Sequence, residues 1–579
     1  MFKKKTIYFK AVAALLCLSM LTGCYVTSGE PAKDSYRKAD KKDSLVVKDK
    51  ESLYSFMPLT QVLYLTVGRG MAEGDHTWQE INSHDLSWYE SNDTDIYECK
   101  ALVQFGSEEG PTSGSFGFDM MSNNATVRLS GKRASERQQK NYRIKIDQGS
   151  GNVYGMKNFI LNKSFSDPFR FTNKLSFDLI AGTDGFMSVR TGFVHLYVRD
   201  ESEGSDALFV DYGLYTMTET INNRYLTNRS LDSSGELYGA EEFDFDRHPD
   251  VIMQPTDPSY DREKFEKLLK AKGSDDYTKL INMLDALADD SLSIEEVVER
   301  YFDKDSLYNY MAFNILLDNK DTDTENFYLY SPTGTEKFYV IPWDMDGALR
   351  SDYEHLRDPS YLDGWERGIY LYTDSKLFGR IIRSKSCLNE LSERISLLHE
   401  TCLSGENVVR KARDLALTIK PYLYTLPDMT FARVSKSDHD ALVEMLKTQM
   451  DRNFYAYYDT MDTPWPFHIR EPEREGTGVK LSWDESFLPE RDVTYDMDLS
   501  DSWDFTHTII SEKGLKTTRY DAGDLKPGQY FLRVRAVSPD GVAQEAYEFY
   551  NTELKTRVHG VMCFYVFEDG TVKQSVYEE

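Results

Sequence analysis

The side chains that could do chemistry lie in two short stretches separated by one predicted β-hairpin. The first, DNKDTDTENFYLY, contains Asp321 and Asn326, and the second, IPWDMDG, contains Asp344. A hairpin places its two ends side by side, so Asn326 and Asp344 would converge on one point. Amide and carboxylate oxygens at one point suit a divalent cation on phosphate groups, and a further carboxylate, Asp321, can accept the proton of an attacking hydroxyl. The order of these parts predicts phosphoryl transfer.

The acidic stretch has two other interpretations, a calcium-binding loop and a solvated turn. Asp321, Asp323 and Glu325 would occupy positions 1, 3 and 5 of an EF-hand loop. Such a loop needs Gly at position 6 and Glu at position 12, where this chain has Asn326 and Pro332. The spacing therefore excludes an EF-hand. A solvated turn accounts for Asp323 and Glu325, but it does not explain the second acidic pair one hairpin later.

The elements that must position these residues change in type along the chain. Short alternating runs from residue 60 predict strands, and mostly helical spacing follows at 261–318 and 385–460. After a Pro-Trp-Pro boundary, LKPGQYFLRVRAVSPDG resembles the late strands of a fibronectin type III sandwich. We predict an α+β protein with four segments: a signal peptide (1–23), a flexible tether (24–52), an α+β domain (53–463) and a small all-β sandwich (464–579).

The N-terminus has the features of a targeting segment. Four lysines precede AVAALLCLSML, an apolar stretch that is too short to span a bilayer. It runs into Leu-Thr-Gly-Cys24, which resembles a bacterial lipobox and implies cleavage before Cys24 and lipidation of its thiol. A plain signal peptide with a chance cysteine is the alternative. We expect an extracytoplasmic bacterial lipoprotein that is anchored to the cell membrane through Cys24.

Charge and cysteine content exclude several classes of protein. The 579 residues include 96 acidic and 68 basic side chains, and the net charge of −28 argues against nucleic acid as a partner. The four cysteines after Cys24 form no CxxC motif or His/Cys cluster, so we expect buried thiols rather than a zinc site. We expect a monomer whose partner is a protein.

The combined pattern resembles the CotH (spore-coat protein H) kinase family. Asp321 and Asn326 before FYLY, followed by IPWDMD, are similar to the core motif of that family. KNYRIKID is similar to its Lys-x-Tyr-Arg strand, and DPFRFTNKLSFDLI is similar to its Asn-Lys-Leu helix. The resemblance covers residues 55–460. It implies a divergent, atypical protein-kinase-like fold and phosphate transfer from ATP, with Mg²⁺ or Mn²⁺, to Ser of a protein partner.

The resemblance also implies a role for each residue of the two acidic stretches. Asp321 is then the catalytic-loop Asp, Asn326 and Asp344 are metal ligands, and Asp346 assists them. A hydrogen-bonded turn is the alternative for Asp344 and Asp346.

Four residues are candidates for binding the nucleotide. Lys140 and Lys145 belong to the KNYRIKID segment and could pair with phosphates, although an exposed strand lysine has the same pattern. Glu219 ends an apolar strand, as the Glu of the family does, and a capping or surface role is its alternative. Phe338 could stack on a base, but core packing is the interpretation that we favour.

Two functions of different classes stay open. The first is a membrane-tethered, extracytoplasmic kinase that phosphorylates Ser or Thr of a protein. The second is a non-catalytic, kinase-like lipoprotein that serves surface binding or adhesion. Ser130 and Thr172 stand where the family has arginines, and this loss of positive charge favours the second function. The intact acidic and amide residues favour the first. Hydrolysis is disfavoured, because the Gly-Ser-Phe-Gly segment lacks the spacing of a nucleophile elbow.

Overall fold

The computed structural model describes residues 47–55, 57–204, 206–320, 322–357, 367–373, 375–552 and 556–575. The predicted signal peptide, the lipidation candidate Cys24 and the catalytic candidate Asp321 lie outside these residues. Within them, no helix combines the length and the apolarity that crossing a membrane requires. Helices and strands alternate along the chain, which confirms the α+β class.

The longest helices come late in the chain. In chain order, the α-helices of the described residues are α1 (Trp78–Ser83), α2 (Leu86–Ser91), α3 (Lys132–Ser135), α4 (Thr172–Ile180), α5 (Asn223–Asn228), α6 (Arg262–Leu268), α7 (Thr278–Ala288), α8 (Ile294–Tyr301), α9 (Lys304–Leu317), α10 (Ser351–Arg357), α11 (Lys376–Arg383), α12 (Lys385–Glu400), α13 (Gly405–Leu423) and α14 (Lys436–Asp462).

The strands fall into an early, a middle and a late group. The early group is β1 (Thr60–Val67), β2 (Cys99–Ser107), β3 (Gly110–Pro111), β4 (Ala125–Ser130), β5 (Asn141–Ile146), β6 (Asn158–Asn162), β7 (Thr191–Asp200) and β8 (Val210–Glu219). The middle group is β9 (Glu236–Ala240), β10 (Leu269–Ala271), β11 (Phe327–Ser331) and β12 (Tyr339–Pro342). The late group is β13 (Ile469–Glu475), β14 (Gly478–Trp483), β15 (Thr494–Ser500), β16 (Thr508–Leu515), β17 (Arg519–Asp521), β18 (Gly528–Val537), β19 (Ala543–Glu545), β20 (Phe549–Asn551), β21 (Arg557–His559), β22 (Val561–Val566) and β23 (Val572–Gln574).

The early strands form one sheet in the order β1-β7-β8-β6-β5-β4-β2-β3. Because β1 also pairs with β2, this sheet closes on itself. Side chains alternate across a strand, and in β4 and β5 the apolar set, which includes Val127 and Ile144, is fully buried inside. The alternate set therefore faces outwards, and it includes Arg128, Arg143 and Lys145.

The middle strands form a second sheet in the order β10-β9-β11-β12. Its last two strands are the predicted hairpin, with Phe327 opposite Pro342 at the open end. Helix α9 is buried from Ser306 to Leu317, and it packs against β12. The helix ends at Asp318, whose left-handed backbone (φ +51°) turns the chain into the acidic stretch.

The late strands form two larger sheets, β13-β14-β17 and β16-β15-β18-β22-β23. Their buried apolar side chains, which include Trp483 and Phe564, form one core. The predicted domain boundary at residue 464 falls between the end of α14 and the start of β13. Trp465 belongs to the core of the preceding helices, with the Arg383 guanidinium 5.0 Å from its ring centroid.

The described cysteines are free thiols, as the sequence predicts. Cys99, Cys387 and Cys563 are buried, and Cys402 is partly buried. Burial raises the pKa of the Cys99 thiol to about 11, which keeps it protonated and unreactive at neutral pH.

The C-terminal end of the predicted tether is bonded to the folded protein through Asp49. Residues 24–46 lie outside the described residues, but Asp49 contacts Arg229, which follows α5, and Ser188, which precedes β7. Asp49 accepts hydrogen bonds from the Arg229 Nε at 3.0 Å and from the Ser188 backbone N at 2.9 Å. The Tyr54 hydroxyl donates at 2.5 Å to Asp49 Oδ2, the oxygen that also accepts from Ser188. The charged composition that predicted a tether instead supplies a partner for a buried arginine.

Candidate functional site

A cleft of about 770 Å³ separates the outer face of the early sheet from the middle sheet. Strands β4, β5 and β6 form one wall, and β10 with β11 forms the other. Polar and charged side chains supply most of the lining. The charged lining residues are Glu98, Arg128, Arg143, Lys145, Glu241, Glu266, Lys270, Lys272 and Asp344.

The hairpin brings the two acidic stretches together, as its sequence predicts. The Trp343 backbone N donates to the Asn326 carbonyl at 2.8 Å, so Asn326 and Asp344 flank the last contact of the hairpin. Both have left-handed backbones, with φ of +64° at Asn326 and +41° at Asp344. This conformation costs energy for residues other than glycine, and Asn and Asp tolerate it best. Such strain concentrates at functional sites.

The turn that carries Asp344 is fixed from two further sides. The Asn173 Oδ1 accepts a hydrogen bond from the Met345 backbone N at 3.1 Å, and Asn173 is almost fully buried. The Leu349 backbone N donates to the Leu317 carbonyl at 2.8 Å, which ties the turn to the end of α9. The position of Asp344 at the cleft is therefore determined by tertiary contacts as well as by the hairpin.

The residues around position 321 are anchored, although Asp321 itself lies outside the described residues. Thr322 is buried, its hydroxyl donates to the Asn319 carbonyl at 3.2 Å, and its carbonyl accepts from the Tyr310 hydroxyl at 2.7 Å. Asn319 is also fully buried. The catalytic role of Asp321 stays a prediction.

The acidic residues of the described chain form no ready-made metal cluster. Among the described residues, which do not include Asp321, no three His, Cys, Asp or Glu side chains converge on one point. Asp344 lines the cleft, whereas Asp346 does not and instead lies 3.9 Å from Arg350. A magnesium ion often takes only one or two carboxylates and completes its shell with phosphate and water oxygens. Asp344 fits such a site, whereas Asn326 is not among the residues that line the cleft, and its role as a metal ligand stays a prediction.

Cations crowd the wall that β4 and β5 form. Arg128 and Arg143 are direct cross-strand partners, an arrangement that is destabilising for like charges. Burial and the neighbouring Arg128 hold the pKa of Arg143 below its usual value. Glu98 lies 3.8 Å from Arg128, whereas no carboxylate of the described residues is within ion-pair distance of Arg143 or Lys145.

The opposite wall adds two lysines. Lys270 pairs with Glu241 at 2.7 Å, but Lys272 has no ion pair among the described carboxylates. Burial, followed by the charges of Arg143 and Lys270, holds the pKa of Lys272 below its usual value. Arg143 and Lys272 thus repel each other from the two walls of one cleft. An anion between them would relieve that repulsion.

The four predicted nucleotide-binding residues lie in different environments, and not all of them line the cleft. Lys145 lines the cleft. Lys140 lies outside the lining, and its amine donates to the Ser135 carbonyl. Phe338 is fully buried in the core, where its backbone bonds to Tyr301, so the base-stacking role is wrong.

Glu219 is the clearest correction. It is 2% exposed, and its carboxylate binds Arg190 at 2.6 Å and Arg229 at 3.1 Å. Burial favours its neutral form, but Arg229 and Arg190 outweigh that effect and hold its pKa below the usual value. Glu219 is therefore a structural residue of the early sheet rather than a nucleotide ligand.

The sequence interpretation missed Arg143, Lys272 and Asn173. Arg143 alternates with buried Tyr142 and Ile144 in the same way as Lys145, so the strand pattern that selected Lys145 also indicated Arg143. Asn173 is the Asn of the Asn-Lys-Leu motif, to which the sequence interpretation gave no role, whereas no local signal distinguishes Lys272.

Comparison with known proteins identifies the family. A family model described as CotH kinase protein matches residues 127–456. The chain belongs to the CotH kinase protein family. The match runs from β4 to α14, so it includes both walls of the cleft and the hairpin. The resemblance seen in the sequence is thereby confirmed.

One relative is inner spore coat protein H of Bacillus subtilis (strain 168). The two chains are 25% identical over 224 residues, which is 38% of this chain and 58% of the relative. This chain therefore matches little more than half the length of that relative.

Proposed function

We propose that this protein is an extracytoplasmic, membrane-tethered kinase that transfers the γ-phosphate of ATP to Ser or Thr of a protein partner. The observation that carries the proposal is the juxtaposition of Arg143 and Lys272 with Asp344 in one cleft. Membership of the CotH kinase protein family supports it. Under this proposal, the early and middle sheets and the helices of the matched region form a divergent, atypical protein-kinase-like fold.

The lining of the cleft fits a nucleotide and a cation. Arg143 and Lys272 would hold phosphate oxygens, because each is a partly desolvated cation with no carboxylate partner among the described residues. Lys145 would add a third positive charge. Asp344 and Asn326 would hold Mg²⁺ or Mn²⁺. When bound, the cation neutralises charge on the phosphates.

Asp321 would act as the base. It would take the proton of the Ser or Thr hydroxyl while the hydroxyl oxygen bonds to the γ-phosphorus and the bridging oxygen leaves with ADP. Asn173 would keep the neighbouring turn in place through its hydrogen bond to Met345. None of these steps needs the positive charge that the family carries at Thr172.

Of the two departures from the family pattern, only the one at Ser130 lies in the lining of the cleft. Thr172 is buried, and its hydroxyl donates to Asp167 at 2.8 Å, so this position serves the start of α4. Ser130 lines the cleft beside Gly131. Arg128, Arg143 and Lys272 supply the charge from other positions, which favours the kinase over the non-catalytic scaffold.

The proposed location follows from the N-terminal sequence and from the name of the relative, a spore coat protein. Lipid on the Cys24 thiol would hold the chain at the outer face of the cell membrane. The late strands would form the predicted fibronectin-III-like sandwich, which could position the kinase on its partner.

Phosphate transfer tests the proposal. The full chain, in detergent micelles with γ-labelled ATP, Mn²⁺ and a Ser-rich acceptor protein, should transfer label. Asp321→Asn and Asp344→Asn should lower the rate by at least about 100-fold, as loss of a general base or a metal ligand does. Asp346→Asn is the matched control and should retain most activity. Wild type that neither binds ATP nor transfers label would favour the non-catalytic alternative.

A further inference from the structure

An aromatic surface with arginines around it includes Phe165, on the loop that follows β6. The rings of Phe165 and Phe431 have centroids 5.9 Å apart. Two guanidinium groups lie over the Phe165 ring, Arg433 at 4.5 Å and Arg137 at 5.9 Å from its centroid. Arg433 also donates from Nε to the Phe165 carbonyl at 3.2 Å. Phe165 and Phe431 are half-buried, and both arginines are exposed.

A third arginine joins this surface to the turn that carries Asp344. Arg350 donates from Nη2 to the Asp346 carbonyl at 3.0 Å and to the Ser166 hydroxyl at 3.4 Å. Asn162, at the start of the same loop as Ser166, lines the cleft. The surface formed by Arg137, Phe165, Arg350, Phe431 and Arg433, here called the arginine platform, therefore adjoins the end of the cleft where transfer would occur.

A buried ion cluster holds both sides of the platform. Asp428, three residues before Phe431, binds the Arg170 guanidinium at 2.5 Å and the Lys163 amine at 3.0 Å. All three side chains are at most 2% exposed. The second Asp428 oxygen accepts from the Leu214 backbone N at 2.7 Å. Because breaking a buried pair is costly, this cluster fixes the Phe165 loop against the Phe431 segment.

Two of the three arginines of the platform, Arg137 and Arg433, form no ion pair with a described carboxylate. Among the described residues, no carboxylate lies within 4.0 Å of Arg137 or Arg433, and Asp346 is 3.9 Å from Arg350. Because the whole chain has a net charge of −28, the rest of the protein surface would repel an acidic partner, whereas the arginine platform would attract it. Guanidinium groups bind carboxylates with two parallel hydrogen bonds, and an aromatic ring beside them packs against aliphatic stems.

We propose that the arginine platform docks the acceptor protein through a segment rich in Asp and Glu next to the Ser or Thr. This inference rests on the proposed function and names its substrate class. The ion cluster holds the arginines in fixed positions, so docking costs the protein little conformational entropy. The carboxylates of the segment pair with Arg137, Arg350 and Arg433, and the hydroxyl then lies towards Asp344.

Peptide binding without nucleotide tests the platform. The full chain in detergent micelles is titrated against three fluorescent peptides of equal length, each with one Ser flanked by Glu and Asp, by Gln and Asn, or by Lys. We expect the acidic peptide to bind tightest and its affinity to fall with salt. The double variant Arg137→Gln/Arg433→Gln should raise the Kd of the acidic peptide by about fivefold to 25-fold, because each partly exposed ion pair contributes only a small factor to binding.

The control is a matched pair of arginines over aromatic rings elsewhere. Arg300 lies 4.8 Å from the Tyr301 ring centroid and Arg557 lies 4.0 Å from that of Phe549. Arg300→Gln/Arg557→Gln should leave the affinity for the acidic peptide unchanged, and Arg433→Glu should shift preference towards the Lys peptide.

The inference is overturned if the neutral or Lys peptide binds wild type as tightly as the acidic one. It is also overturned if an oligonucleotide binds wild type as tightly as the acidic peptide does. Equal losses of affinity for the acidic peptide in the platform and control variants would overturn it as well. ATP binding to the same samples, followed by thermal shift, is a separate readout. Wild type that prefers the acidic peptide but ignores ATP supports the docking surface and contradicts the proposed function.

Discussion

Replacing Arg143 with Gln should stabilise the nucleotide-free protein and weaken its binding of ATP. Arg143 lies directly across from Arg128, and burial together with that neighbour holds its pKa below the usual value. No carboxylate of the described residues compensates its charge. A residue selected for stability alone would not have this environment, whereas a phosphate ligand would.

The two effects have different sizes. Relief of a like-charged cross-strand pair should raise the free energy of unfolding by about 0.2–1 kcal/mol. Loss of a charge-assisted hydrogen bond to phosphate should cost about 1.5–3 kcal/mol of binding, which raises the Kd for ATP about tenfold to 150-fold. The ATP-bound variant should therefore be less stable than ATP-bound wild type, although the nucleotide-free variant is more stable.

Urea unfolding with and without ATP and Mn²⁺, together with calorimetric titration, measures both effects. Arg519→Gln is the control, because Arg519 is exposed on β17 and forms no ion pair among the described residues. An Arg143→Gln variant that binds ATP like wild type would refute a phosphate role. A variant that unfolds at lower urea than the control would refute the like-charge argument.

Three further predictions concern the ionisable groups that support the fold. Glu219→Gln should lower the free energy of unfolding by about 3–5 kcal/mol, because the buried Arg190 and Arg229 lose their carboxylate partner. Urea unfolding measures this loss, and a loss under about 1 kcal/mol would contradict the structural role of Glu219. Asp49→Asn should cost about 1–3 kcal/mol by weakening contacts to Arg229 and Ser188, while the exposed control Asp540→Asn should cost almost nothing. Burial lowers the pKa of His439 below 6.5, so the unfolded chain takes up a proton first as pH falls through about 6.5. His439 should therefore contribute stability above that pH and lose it as the solution becomes more acidic, by about 1.4 kcal/mol per pH unit until its folded-state pKa is reached. His439→Gln should flatten this dependence between pH 7 and 5, and the exposed His507→Gln should not; equal slopes in both variants would count against the assignment.

Local patterns in the sequence were enough to predict the hairpin. Asn326 and Asp344 are neighbours because β11 and β12 are two short apolar runs that pair antiparallel across one turn, and these features are visible in a single stretch. The family motif added the roles of the residues. The charge of Arg143 was equally visible, but selecting it required knowing which strand face lines the cleft.

Long-range pairing was not predictable from the sequence. Glu219 ends a strand as a ligand would, yet Arg190 and Arg229 approach it from other segments and enclose it. Lys272 reaches the cleft only because β10 pairs with β9. The charged residues before position 53 looked like a tether, because a buried arginine that needs Asp49 leaves no mark in the local sequence.

The most direct test of the central claim is an ATP titration of wild type and Asp344→Asn, with and without Mn²⁺. The account predicts that Mn²⁺ tightens ATP binding to wild type by at least about tenfold and that Asp344→Asn removes this gain, because the variant loses a metal ligand. The affinity without metal should stay the same or rise, since Arg143 and Lys272 remain. ATP binding that Mn²⁺ strengthens equally in both proteins, or no ATP binding to wild type, would contradict the account.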